Sequence, residues 1–134
     1  MRIFLDTNVL VSAFTTRGLC ADLLRLVLVG HEPLSGEIIL QELRRVLDER
    51  FRVPRPITGD IFELLRNQAV VVAKPDSPAS AGVRDPDDEW VIASALAGRA
   101  DVLITGDKAL LALKHVAGMP IHDPRSFWQY PKKT

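Results

Sequence analysis

The 134-residue chain has a single cysteine, Cys20. That excludes an intramolecular disulfide framework and a cysteine-rich zinc centre. Net charge is missing too: 17 Lys and Arg balance 17 Asp and Glu. The balance argues against a large basic shell for nucleic acid, while allowing local basic patches around an acidic centre. No apolar run reaches the roughly 18 residues that would cross a bilayer. No early segment joins a charged start to a secretory apolar stretch and a small-residue cleavage site. A cytoplasmic protein with no membrane partner is expected. The histidines, His31, His115 and His122, are far apart and form no metal-ligand spacing. No internal repeat or low-complexity segment stands out.

What remains is an ordinary soluble composition, with 47% apolar and 25% charged residues. The length fits one domain spanning residues 1–134. Such a chain buries roughly two thirds of its extended surface and needs no staple. A strand is expected at Met1–Leu5, with its apolar run continuing past Asp6-Thr7-Asn8 into Val9-Leu10-Val11. An apolar helix is expected over Leu19–Val29, with Gly30 as its stop. That helix is apolar enough to bury one face and offer another to a second copy of the chain. The next helix runs over Gly36–Glu49 with Ser35 as its cap. Arg52–Thr58 reads as a loop because it holds two prolines, and Gly59–Asn67 as a short helix.

Ala69–Ala73 is a β-branched strand, and Lys74–Gly82 the most flexible loop. Asp85-Pro86 opens a helix that ends near Gly98. Asp101–Thr105 reads as a buried strand and Lys108–Lys114 as a short helix. Met119–His122 reads as a last strand and Pro124–Trp128 as a closing helical turn. Phe127, Trp128 and Tyr130 read as packing or an interface edge. Short apolar strands separated by helices indicate an α/β fold with a mainly parallel sheet. Ligands in such sheets bind beyond the carboxyl ends of the strands.

Four acids occupy positions where solubilising charge does not belong. Asp6 and Asp107 each lie just past a strand end, which brings both toward one rim. Asp6 could serve a turn, since Asp, Thr and Asn all bond locally to the backbone. On a rigid strand it could equally hold a metal, with Thr7 or Asn8 in support. Glu42 shares a helical face with Ile38, Ile39 and Val46, so it sits on or beside the apolar stripe. Pairing with Arg45 or another basic side chain would account for it, and a ligand reaching from helix to sheet rim explains the position equally well.

Asp88 is the N3 residue of a helix capped by Asp85, and helix initiation alone could justify it. Its face, shared with Val91, Ile92 and Ala95, is the packing side, and a capping acid need not be there. Asp107 could simply cap the helix that begins at Lys108. Gly106 permits a tight turn before it, Thr105 can bond nearby, and Lys108 could meet a phosphate. Carboxylate oxygens in such a group suit Mg²⁺ or Mn²⁺. Paired ions of this kind, roughly 3.5–4 Å apart, orient water for in-line attack at phosphorus.

The stretches that hold these acids resemble the PIN-domain family, in its bacterial and archaeal toxin-like branch. IFLDTNVLVSA is similar to the family's first strand and first acid, Asp6. SGEIILQELRRVL resembles the segment of the second acid, Glu42. RDPDDEWVIASALAGRADVLITGDKALL resembles the densest family block and supplies Asp88 and Asp107, and PIHDPRSF resembles the closing strand and turn. The resemblance implies a three-layer α/β/α sandwich around a mainly parallel sheet of four or five strands. It implies a Mg²⁺- or Mn²⁺-dependent endoribonuclease with Asp6, Glu42, Asp88 and Asp107 as metal ligands. Asn8 matches a supporting polar position, and Asp85 is an extra acid that could share the site. A cognate antitoxin is the implied partner, and RNA the implied substrate. A non-catalytic PIN-like nucleic-acid-binding module and a structure-specific deoxyribonuclease are the rival readings.

Overall fold

The computed structural model describes residues 1–129. Strand β1 (Arg2–Leu5) leads directly into helix α1 (Thr7–Thr15), and α2 (Leu19–Gly30) follows. Then come β2 (Glu32–Gly36), α3 (Glu37–Glu49), α4 (Arg55–Gln68) and β3 (Val70–Val72). The second half holds α5 (Pro86–Ala97), β4 (Val102–Ile104), α6 (Lys108–Leu111), β5 (His115–Val116), β6 (Met119–His122) and α7 (Pro124–Trp128). The strand order is β3-β2-β1-β4-β6-β5, parallel except where β5 meets β6. The parallel part has five strands, within the four or five expected, and short β5 adds an antiparallel edge.

Ile3, Phe4 and Leu5 of β1 are 0–2% exposed, so consecutive side chains pointing to opposite faces are all buried. Helices must therefore cover both faces of the sheet. Each such side chain contributes roughly 1.5–3 kcal/mol by leaving water. On one face α5 lies against β2 and β3. Its C-cap Gly98 comes so close that a Cβ there would meet Val72 Cγ2 at 2.7 Å. Helix α1 packs on both α2 and α3, and α2 buries Leu23, Leu24 and Val27 while Val29 stays on the surface. No described helix is long and apolar enough to cross a membrane.

Several elements differ from those expected. Ser35 caps nothing; it lies inside β2, and Gly36 is the N-cap of α3 without a side-chain bond. Strand β2 carries Pro33, Ser35 and Gly36, residues that ordinarily mark turns. Parallel pairing with β1, Phe4 opposite Leu34, overrides that local preference. Helix α4 starts at Arg55, earlier than Gly59, because Pro54 and Pro56 sit at its N-cap and first turn. Proline fits there, since the first N–H groups of a helix have no intrahelical partner. The residues after Asp6 are helical: its side chain accepts from Thr7 N and caps α1. Helix α6 ends at Leu111, and His115 belongs to β5. Phe127 is buried and Trp128 41% exposed, whereas Tyr130 lies outside the described residues.

Candidate active site

Strand order reverses at β1. From there the chain steps outward through β2 and β3, then returns to lay β4 on the other flank. In a parallel sheet this switch opens a crevice beyond the carboxyl ends of the two strands. Leu5 pairs with Ile104, and Asp6 N donates to Ile104 O at 3.0 Å. The residues just past the pair, Asp6 on one strand and Thr105 to Asp107 on the other, therefore stand side by side.

Thr105 joins them. Its hydroxyl, fully buried, donates to Asp6 Oδ2 at 2.7 Å and accepts from Asp107 N at 3.0 Å. Asp6 Oδ1 accepts from Thr7 N at 2.8 Å. Asn8 spans the same two strand ends. Its Oδ1 accepts from Gly106 N at 2.9 Å, and its Nδ2 lies 3.4 Å from both Asp6 Oδ2 and Thr105 Oγ1. A Cβ at Gly106 would press on Asn8 Oδ1 at 3.3 Å, so glycine suits this turn. Asp107 caps α6, its Oδ1 accepting from Ala109 N and Leu110 N. No bond is made to its Oδ2 among the described residues. Lys108 follows, exposed at the start of α6.

Helix α5 supplies Asp88. The capping work falls to Asp85, whose Oδ1 accepts from Asp87 N at 2.9 Å. Asp88 is 8% exposed, and its carboxylate has no hydrogen bond or ion pair among the described residues. A capping acid is bound to backbone amides, so capping does not explain Asp88. Glu42 is exposed on α3, beside the buried Ile39 and Val46. The Arg45 side chain reaches Glu49 at 3.5 Å instead of Glu42.

The acids act on one another through charge. Burial pushes the Asp6 carboxyl up to about 6 against the hydrogen bonds from Thr105 and Thr7, with Glu42 and Asp107 adding to the rise. Burial likewise raises Asp88 to about 6, helped by the charges of Asp107, Asp85, Asp6 and Asp87. All four carboxylates are thus within electrostatic reach of one centre. Among the described residues no three acidic, histidine or cysteine side chains are close enough to grasp one ion together. The gathering is one of charge and not a preformed ligand cage.

Two contributors are absent from the sequence reading. Glu89 does more than start a helix: its carboxylate accepts from Ala81 N, Gly82 N and Val83 N at 2.9–3.2 Å. With Ala79 N donating to Glu89 O at 3.1 Å, this ties the long β3–α5 loop to α5. Trp90 and Lys74 form the other, with the ammonium 4.5 Å from the ring centre. Only a spacing of apolar residues around Trp90 was visible in the sequence, and nothing there ties it to Lys74.

The fold and these strand ends define an α/β domain with an acidic site at its topological switch point. A family model described as PIN domain matches residues 2–109, and the chain belongs to that family, whose members are generally nucleases that use divalent metals. Among solved structures, VapBC2 from Rickettsia felis, bound to a DNA fragment from its promoter, aligns with a TM-score of 0.66 at 14% identity. That alignment covers 92% of this chain and 98% of the other. VapBC-1 from nontypeable Haemophilus influenzae aligns at 0.62 and 18% identity, covering 93% and 99%. FitAcB from Neisseria gonorrhoeae aligns at 0.57 and 18%, covering 92% and 98%. At such identities these likenesses speak for the fold. No curated protein matches the sequence.

Proposed function

We propose that the protein is a metal-dependent endoribonuclease that hydrolyses RNA phosphodiester bonds, acting as the toxin of a toxin–antitoxin pair. The observation that carries the reading is the burial of Asp6 and Asp88 beside Asp107 at the switch point. Buried carboxylates without a partner cation are costly, and such costs persist mainly where function needs them.

The donor set suits a hard divalent cation. Asp6, Glu42, Asp88 and Asp107 offer only carboxylate oxygen, the donor that Mg²⁺ and Mn²⁺ favour. Those four residues would hold it. When bound, the metal supplies positive charge against the mutual repulsion, activates water and polarises phosphate oxygens. The other roles belong to the chain. Thr105, from the neighbouring strand end, and Asn8, from the first turn of α1, hold the Asp6 carboxylate in place. Glu42, exposed to solvent, completes the site or orients the attacking water. Lys108 and arginines of the 44–55 run position phosphates, and Asp85 supports the site from the cap of α5. Attack by water leaves a 5′-phosphate and a 3′-hydroxyl.

Purified wild type, Asp6→Asn and Asp88→Asn on mixed RNA, with EDTA, Mg²⁺ or Mn²⁺, test the proposal. Cleavage only by wild type with metal, leaving 5′-phosphate ends, is expected. Equal cleavage by all three proteins, or a 2′,3′-cyclic phosphate product, overturns it. The antitoxin reading is supported by the family branch and by the solved neighbours VapBC2, VapBC-1 and FitAcB. Its test is growth. Expression of the wild type should arrest cells, the Asp6→Asn variant should not, and a protein encoded beside the gene should relieve the arrest.

A further inference from the structure

Beside the acids runs a groove that shares Glu42 and Arg45 with the proposed chemistry and extends beyond it to residues that chemistry leaves unused. One stripe of α3, Gln41, Glu42 and Arg45, forms one wall. The first turns of α5, with Asp87 and Trp90, form the other, and Lys74 closes one end from the β3–α5 loop. The volume is about 430 Å³, within the range of small-ligand clefts and enough for a nucleotide.

The chemistry of the walls is uneven. Glu42 and Asp87 are the lining residues whose charges act on Asp6 and Asp88. Arg45 and Lys74 bring cations, and Gln41 an amide that both donates and accepts. The Arg45 contact with Glu49 is long and exposed, 3.5 Å with both side chains about 60% exposed, so little holds that guanidinium back. Trp90 is half-buried, and the partner on its ring is the exposed Lys74 ammonium, 4.5 Å away. A flexible, well-hydrated cation on an open aromatic face is easily displaced. A stacking face, adjacent cations and an edge-reading amide are the ingredients of single-stranded nucleic-acid binding.

Resting on the ribonuclease reading of the adjoining acids, we infer that this groove seats an unpaired nucleotide flanking the scissile phosphate, its base stacked on Trp90. Lys74 leaves the ring as the base arrives and, with Arg45, meets the phosphates. Gln41 faces the base edge. The groove therefore selects single-stranded segments, because a paired base cannot lie on the ring.

Trp90 fluorescence reads this directly. The protein carries Trp128→Phe, so that Trp90 alone reports, and Asp88→Asn, so that RNA stays intact in Mg²⁺. The probes are a single-stranded RNA hexamer and an abasic hexamer with the same phosphates. The RNA hexamer should quench Trp90 and the abasic one should not. Trp90→Leu, which keeps apolar bulk, should weaken RNA binding roughly 5- to 150-fold, while Trp90→Phe stays close to wild type. Lys74→Ala should weaken both probes alike and flatten the salt dependence. Equal affinity for the two probes, unchanged Trp90 emission, or equal binding by Trp90→Leu and Trp90→Phe overturns the inference. The two proposals fail separately: quenching without wild-type cleavage sinks the nuclease reading, and cleavage without quenching sinks the stacking site.

Discussion

Replacing Asp6 by Asn should reverse the order of stability between variant and wild type as pH rises. In the fold the Asp6 carboxyl ionises near 6, and in an unfolded chain near 3.9. Between those values the folded state holds more protons than the unfolded state, so stability falls with rising pH. The loss is absent below about pH 4 and complete just above pH 6. About two pKa units at 1.36 kcal/mol each put it on the order of 3 kcal/mol.

Asn escapes that loss but brings one of its own. Its Oδ1 can keep the bond from Thr7 N, while its amide nitrogen cannot accept from Thr105 Oγ1. A lost bond of this kind costs about 1 kcal/mol at every pH. The variant should therefore be the less stable protein at pH 4 and the more stable one at pH 7.5. Over that span the two should shift relative to each other by roughly 10 °C in Tm. Urea unfolding of both proteins in EDTA, from pH 4 to 7.5, measures the difference directly. A gap between them that does not move with pH refutes the reasoning, because it means that Asp6 ionises in the fold as it does in water.

Mg²⁺ or Mn²⁺ should raise the wild-type Tm at pH 7.5, by about 2.7 kcal/mol of stabilisation at one hundred times Kd. The rise should shrink in Asp88→Asn, and an equal rise in both proteins argues against the site. Glu89→Gln should leave the core intact but speed amide exchange at Ala81, Gly82 and Val83, since bonds to a charged group are worth about 1.5–3 kcal/mol together with its charge. Unchanged exchange at those amides counts against the anchoring role. Gly98→Ala should cost about 1–3 kcal/mol, because its Cβ must displace Val72 Cγ2. A urea midpoint equal to wild type would mean that β3 yields freely.

The parts of the fold that were readable have strong local signatures. Strands β1 and β4 are apolar runs ending in Asp6 and in Thr105-Gly106-Asp107, and α5 opens on Asp85-Pro86, a cap followed by a favoured first residue. Strand β2 was hidden because Pro33, Ser35 and Gly36 speak for a turn while pairing with β1 decides otherwise. The start of α4 was hidden by prolines that suit a helix as well as a loop. At the site, position carried the signal. Asp88 stood out by its face, and Asp6 and Asp107 by following strands. The anchoring by Glu89 was invisible because its partners are backbone amides, which no side-chain pattern encodes. The meeting of Lys74 with Trp90 depends on the path of a loop, which composition does not fix.

The Thr105 hydroxyl bonds to a carboxylate 99 positions earlier in the chain. During synthesis, then, Asp6 leaves the ribosome well before Thr105 and waits for the second half of the group. Until Thr105 and Asp107 have emerged and β4 has docked beside β1, there is no switch-point crevice and no group of acids. A chain that has folded β1 but not yet β4 therefore holds the Asp6 carboxylate and none of its neighbours from the β4 strand end.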